Sequence, residues 1–239
     1  MILRNLACRR IALKEATDFY RRYEHLGNPG LGVYHWATFH GSAVVAVVSF
    51  GTAGFSAGRG VIGDIASRYG LRVYQLTRGG TLPSAPRGIP SWTVSQGLRG
   101  MRRLKGDCLI AAYSDPHFNE IGTIYQACNF AYLGMTNPKN QSTYVIHGRK
   151  QSAWVVRRTY GTRCLDTLRQ ADPDVEKIPL RPKYRYVFPA AHPSVKRLVF
   201  QALEPHSHPY PKREAEGVEA MDTPSLVRKR LTSMPIPQS

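Results

Sequence analysis

The residues best suited to chemistry lie between Tyr113 and Gly134, in the run YSDPHFNEIGTIYQACNFAYLG. A Tyr-Ser-Asp turn (Tyr113, Ser114, Asp115) is followed by Glu120, a Gly-Thr pair, Tyr125 and, five residues later, Phe130. Carboxylates and phenols serve general acid–base catalysis when they face one pocket. The run follows CLIAA at Cys108–Ala112, which predicts a buried strand. A buried strand ending in hydrogen-bonding residues is where α/β folds place their chemistry. The expected order is a strand, a polar corner, a short helix carrying Tyr125 and a further strand from about Ala131. The structural alternatives are a turn or helix cap for Asp115 and a core tyrosine with a bonded hydroxyl for Tyr125.

The elements that must position these residues are legible upstream. Ile11, Ala16, Phe19, Tyr23 and Leu26 have helical spacing, and the loop Gly27–Gly32 ends that helix. Val33–Phe39 alternates, His40-Gly41-Ser42 turns, and Ala43–Phe50 is apolar almost throughout. Such a strand is covered on both faces, so helices must flank the sheet. Gly51–Gly60 is glycine-rich but lacks the spacing of a nucleotide loop. Val73–Arg78 predicts a strand that runs into the Gly/Pro loop RGGTLPSAPRGIP. Ser91–Lys105 predicts a helix with Ser91 as N-cap. Its stripe is Val94, Leu98, Met101 and Lys105, and Arg99, Arg102 and Arg103 face solvent. Gly97 and Gly100 weaken a helix, which implies close packing against a sheet or ligand. Strand, helix and strand form a βαβ-like unit. Ser142–His147 predicts another strand. The fold class is α/β (α+β), a mixed central sheet flanked by helices.

Charge points to the partner. The 239 residues carry 33 Lys+Arg against 16 Asp+Glu, a net charge of +17. Such an excess suits a polyanion: DNA, RNA or an acidic membrane surface. No apolar run is long enough to span a bilayer, and the N-terminus lacks a signal-peptide pattern. The four cysteines are scattered, which signals neither a disulfide framework nor a zinc site and fits a reducing cytoplasm. His25, Asp115, His117 and Glu120 offer metal ligands, but their spacing fits no standard motif, so no metal is assigned and a metal ion stays open as an alternative. Beyond Gly148 the chain turns basic. Arg149, Lys150, Arg157, Arg158, Arg163, Lys183 and Arg185 are interleaved with Trp154, Tyr160, Tyr184 and Tyr186, a pattern suited to nucleic-acid backbone contact and stacking. Trp36, Trp92 and Trp154 are further stacking candidates, with burial as the alternative. The expected division is a catalytic core over 1–148, a basic, aromatic-rich extension packed on it over 149–213, and a mobile polar tail over 214–239.

Two resemblances meet in the opening run. GTIYQACNF is similar to the late helix of GCN5-related N-acetyltransferases, in which a tyrosine often protonates the thiolate of coenzyme A. In that fold Val73–Lys105 would cradle the coenzyme pyrophosphate at a helix N-terminus. The segment RGGTLPSAPRGIPS departs from the usual phosphate-loop pattern. More specifically, YEHLG at Tyr23–Gly27, LTRGG at Leu76–Gly80, the helix opening at Ser91, AYSD…EIGTIYQACNFAYLG, KYRY at Lys183–Tyr186 and PYPK at Pro209–Lys212 resemble the Mom DNA-modification proteins of Mu-like phages. These are diverged members of the same acetyltransferase fold. The resemblance spans about residues 5–212 and implies transfer of a carbamoylmethyl group to the exocyclic amine of adenine in DNA, which blocks host restriction.

The resemblance also implies roles. Arg78 would bind a donor anion or a DNA phosphate, and Ser91 would orient the donor. Asp115 would take a proton from the adenine amine, and Tyr125 would act as general acid on the leaving group. His25, Glu120 and Ser114 are weaker substrate-binding candidates. The implied partners are double-stranded DNA and a small donor molecule, of unassigned identity, for which acetyl-CoA or a related acyl donor is a candidate. A homodimer is compatible with the sequence. Two other classes compete: a conventional acyl-CoA-dependent N-acetyltransferase acting on a small amine, a protein or tRNA, and a non-catalytic DNA-binding protein on a dead transferase fold.

Overall fold

The structure, a computed structural model, describes residues 5–24, 27–53, 58–137 and 142–212. These residues form two compact units. Unit 1 comprises the described residues within Met1–Gly134 and Tyr184–Ser239, and unit 2 those within Met135–Lys183.

Unit 1 starts with β1 (Leu6–Ile11), α1 (Leu13–Tyr23), β2 (Tyr34–His40), β3 (Ala43–Thr52) and α2 (Val61–Arg68). It continues with β4 (Arg72–Thr81), α3 (Ile89–Lys105), β5 (Cys108–Ser114), α4 (Thr123–Ala127) and β6 (Ala131–Met135). In unit 2 follow β7 (Ser142–Ile146), β8 (Arg149–Ser152), α5 (Ala153–Tyr160), α6 (Leu165–Ala171) and β9 (Glu176–Pro179). The chain then returns to unit 1 as β10 (Tyr184–Ala190) and α7 (Pro193–Leu203).

One seven-stranded sheet, ordered β1-β2-β3-β4-β5-β10-β6, organises unit 1. β1 to β4 pair antiparallel, and β4 and β5 pair parallel across the α3 crossover. This is the mixed sheet flanked by helices that the apolar strand patterning predicts. Alternation along the strands splits the core into two layers. Trp36, Val48, Phe50, Leu76, Ile110 and Tyr186 pack on one face with Val94, Leu98 and Met101 of α3. Leu109, Ala111, Val187 and Leu133 pack on the other with α2 and α7, and Ala37 and Val47 pack there with α1. A Cβ at Gly97 would lie 2.8 Å from Phe50 and Val48, and one at Gly100 would overlap the Trp36 indole. The two helix glycines thus serve close helix–sheet approach.

The division of the chain differs from the sequence expectation. The boundary falls at Met135 and Lys183, where Gly148 and residue 213 were expected. β10 lies inside the core sheet, antiparallel to β5 from Tyr184↔Ser114 to Ala190↔Cys108. Its residues Tyr186 and Val187 are fully buried, so Tyr186 is a core aromatic and not a stacking platform. Apolar alternation in YRYVFPA decides this placement, and the surrounding basic residues mask it.

Unit 2 has its own small core of Tyr144, Ile146, Val156, Leu168 and Val175 under the sheet β8-β7-β9. Its entry and exit are tied together: Thr136 N–H donates to the Lys183 carbonyl at 2.8 Å, and Lys183 N–H donates to Thr136 Oγ1 at 2.9 Å. The tail expected over 214–239 lies outside the described residues.

Candidate active site

The site begins where β4 and β5 separate. Their parallel pairing runs from Arg72↔Cys108 to Gln75↔Ala111 and stops. β4 continues to Thr81, paired only with β3. Its register slips between Ser49↔Arg78 and Phe50↔Leu76, which leaves Thr77 as an extra residue. Such a bulge bends a strand and increases its twist. Past Gln75 the β5-facing edge of β4 therefore has no strand partner among the described residues.

β5 enters this opening with Tyr113, Ser114 and Asp115. Ser114 is 4% exposed, and its hydroxyl has no hydrogen-bond partner among the described residues. It follows Ile110 and Ala112 on the face of α3 and α4. Asp115 then turns the chain. Its carbonyl accepts from Phe118 N–H at 3.0 Å and Glu120 N–H at 3.3 Å, and its own N–H donates to Glu120 Oε2 at 3.5 Å. These bonds show a structural turn role for the Asp115 backbone and leave a half-buried carboxylate at the end of β5.

α4 carries Tyr125 over the same strand. The Tyr125 hydroxyl donates to the Tyr113 carbonyl at 3.4 Å, a long and weak bond. Its ring leans on Phe130 and Tyr186, with centroids 5.4 and 5.3 Å away. Gly122, with φ of +71°, admits this approach: a Cβ there would come within 2.5 Å of the Tyr186 ring. The Tyr186 hydroxyl fastens the turn by donating to Ile121 at 2.5 Å, and Gln126 Nε2 donates to the same carbonyl at 2.8 Å. The segment after α7 closes over the back of this layer, as Tyr210 donates to the Phe130 carbonyl at 2.8 Å. Burial pushes the Tyr125 phenol well above the ordinary tyrosine range. The Glu120 carboxylate raises it further, and the Arg78 guanidinium opposes the rise. Tyr125 is thus a neutral phenol that feels both charged candidates.

Arg78 continues β4 and does not end it. Its Nε donates to the Asn28 carbonyl at 3.1 Å, and Nη1 lies 4.0 Å from Glu24. The side chain is 21% exposed. A chain of buried groups lies beneath it. Tyr20 donates to the Arg78 carbonyl at 3.3 Å and meets Ser49 Oγ at 2.8 Å, and Ser49 Oγ lies 2.7 Å from His35 Nδ1. Sequence reasoning missed Tyr20, Ser49 and His35. Their connection arises from the registers of β2, β3 and β4, and no local pattern signals it.

Ser91 differs from its expected place. α3 starts at Ile89 with Gly88 as N-cap, and Pro90 fits the first turn because it needs no amide donor there. The Ser91 hydroxyl donates back to the Gly88 carbonyl at 3.1 Å, so it is no N-cap. Its own carbonyl accepts from Cys128 Sγ at 3.3 Å, which docks α4 on α3. The α3 N-terminus has no side-chain cap, and its dipole favours an anion. Pro90 removes one amide from this first turn.

Ser114, Asp115, Glu120 and Tyr125 thus lie on the end of β5, the following turn and α4, with Glu120 on the Asp115 amide and Tyr125 within electrostatic reach of Glu120 and Arg78. His25 lies outside the described residues, and nothing is described of the His117 side chain. No group of three metal-binding side chains occurs among the described residues.

The basic residues separate into two sets. Arg149, Lys150, Arg157, Arg158 and Arg163 are exposed on unit 2, as is Lys183 at its exit. Arg185 belongs to β10, where it is half-buried and donates to the Leu133 carbonyl at 2.9 Å. Its side chain supports the core sheet. Trp36 is 6% exposed and packs edge-on against Phe50, so it is a core residue. No described helix is long and apolar enough to cross a membrane.

No curated protein matches this chain. Among solved structures, it is similar to NAA60 from Arabidopsis thaliana in complex with acetyl-CoA, with 14% identity, a TM-score of 0.44 and coverage of 77% of this chain and 98% of that one. It is also similar to a polyamine N-acetyltransferase from Drosophila melanogaster, with 8% identity, a TM-score of 0.44 and coverage of 77% and 99%. The model of the Mom protein family matches residues 5–212, and the chain belongs to that family.

Proposed function

We propose that this chain is an acyltransferase-like enzyme that places a carbamoylmethyl group on the exocyclic amine of adenine in double-stranded DNA. Family membership supports the transferase class. The observation that supports the site assignment is the Tyr125 hydroxyl on the Tyr113 carbonyl, two residues before Asp115, at the end of β5 where β4 and β5 part. An adenine amine is a poor nucleophile because its lone pair is delocalised into the ring. Asp115 accepts a proton from the amine as its nitrogen bonds to the donor carbon. The bond from that carbon to the leaving group breaks, and Tyr125 gives its proton to the departing atom. Each proton transfer is worth on the order of a hundredfold or more in rate. Burial keeps the Tyr125 proton in place at neutral pH. The buried, unpartnered Ser114 hydroxyl supports a role in hydrogen-bonding the donor or amine, and Arg78 supplies positive charge toward the leaving group. A carbamoylmethyl donor would carry its leaving group on the methylene carbon that the amine attacks, whereas an acyl donor such as acetyl-CoA would deliver an acetyl group, and the mass of the adduct separates the two. The exposed cations of unit 2 contact DNA phosphates.

Nucleoside mass spectrometry of plasmid DNA from expressing cells tests this reading, with Asp115→Ala as control. A modified deoxyadenosine that disappears in the control is the expected result, and its mass identifies the transferred group. Unmodified DNA in cells that express folded protein would overturn it.

A further inference from the structure

We propose a second DNA-binding surface on unit 1, a basic trough formed where β1 meets the outer face of α3, whose occupant is the phosphate backbone of duplex DNA. The choice of DNA rests on the function proposed above.

Five cations converge there from two distant stretches of chain, Arg10 of β1 and Arg99, Arg102, Arg103 and Lys105 of α3, while Arg9 borders the hollow from the β1 edge with its side chain on Phe39 and Glu15. The five arginines are exposed. They surround two adjoining open hollows of about 640 and 380 Å3, and Arg103 lines both. Among the described residues two carboxylates pair with this set: Glu15 lies 3.9 Å from Arg9, and Asp107 lies 3.3 Å from Arg102. Arg10, Arg99 and Arg103 have no acidic partner among the described residues.

Aromatic faces hold the cations in place. Arg9 lies 4.3 Å from the Phe39 centroid, Lys105 lies 4.5 Å from that of Tyr34, and Arg10 lies 5.8 Å from the same ring. A ring face orders a cation without cancelling its charge. This differs from a solvated helix face, on which long side chains swing free or pair with carboxylates.

The shape and chemistry select the occupant. Arg99, Arg102 and Arg103 stand on one helix face at spacings of three and four residues. Guanidinium groups match phosphate oxygens bidentately. The trough offers no free aromatic ring for base stacking, because Trp36 at its floor is buried against Phe50. Contact is therefore with backbone phosphates, as in a duplex, and not with splayed bases.

Equilibrium binding of the full chain to a short fluorescent duplex across a salt series tests this surface. The assay needs neither donor nor turnover, so a failed modification reaction leaves it standing. The Arg99→Gln/Arg103→Gln variant should bind about tenfold or more weakly at low salt. The slope of log affinity against log salt should fall by about two, one unit per lost phosphate contact. The Arg99→Lys/Arg103→Lys variant keeps the charge and should keep the slope, which separates lost contacts from a folding defect. Unchanged affinity and slope in the Gln variant would overturn the proposal. Displacement of the duplex by polyglutamate at equal charge concentration would also overturn it and assign the trough to an acidic protein.

Discussion

The β4–β5 opening and unit 2 solve opposite problems. Around the opening, polar groups are withdrawn from water and held by rigid neighbours. Tyr125 lies between two rings, Ser114 is buried, and Arg78 is fixed by Asn28 and Glu24. In unit 2 a core of five buried residues supports arginines that project into solvent. Proton transfer needs defined geometry and low local polarity, which only a thick core provides. Attraction to a polyanion needs only charge and exposure, which a small unit supplies at little structural cost. The depth of the core thus separates the candidate site from the exposed arginines, which unit 1 also carries on β1 and the outer face of α3.

The sharpest challenge to this contrast is Tyr125→Phe. The ring packing against Phe130 and Tyr186 is retained and only a weak 3.4 Å bond is lost. The adduct rate should fall about a hundredfold, with thermal stability nearly unchanged. Equal loss of both would mark Tyr125 as a packing residue. In the unaltered protein the rate should hold through pH 10, the ordinary tyrosine value, because burial raises the phenol above it and the proton stays bound until pH passes the raised value. A falling limb at or below the ordinary value would remove Tyr125 as the acid.

The next effect tests the thickness of the core. Gly100→Ala places a methyl group against the buried Trp36 indole. It should destabilise unit 1 by about 1–3 kcal/mol, seen as a lower unfolding midpoint in denaturant. Wild-type stability would show that α3 can lift from the sheet without cost.

Unit 2 carries a subtler test in Asp172, whose carboxylate accepts from the backbone of His147 at 2.6 Å and of Asp174 at 3.1 Å. The His147 amide chiefly holds the carboxyl below the ordinary aspartate value. A lowered value means that its stabilisation is present above the ordinary range and is lost as pH falls through the lowered one. Unit 2 should therefore loosen in acid, and Asp172→Asn should flatten that dependence. Nuclear magnetic resonance of unit 2 amides between neutral and strongly acidic pH would register both.

The smallest structural effect belongs to Arg157→Gln/Arg158→Gln. Both side chains are exposed, so stability should shift by less than about 0.5 kcal/mol. The salt slope of DNA binding should fall by up to about two. An unchanged slope would remove these two residues from the DNA contact.

Long apolar elements were legible because burial demands their pattern. The hairpin of β2 and β3, the stripe of α3, the buried β5 and the short helix bearing Tyr125 follow from apolar runs and turn residues. β1 was hidden because its sequence LACRRI carries arginines on a strand that patterning alone leaves ambiguous. β4 was expected to stop at Arg78, yet it continues through Gly79 and Gly80. The ring of Tyr20 approaches Gly80 so closely that a Cβ there would lie 3.2 Å from it.

By itself the sequence determined the charge, the run from Tyr113 to Gly134 and the residue types able to move protons, because these are properties of composition and local order. Tertiary structure decided which of them meet. It inserted β10 beside β5, withdrew Arg185 and Tyr186 into the core, and joined His35, Ser49 and Tyr20 beneath Arg78. It also brought Arg9 and Arg10 beside an α3 some ninety residues away. Strand order and register fix those encounters, and both depend on long-range pairing that local sequence does not encode.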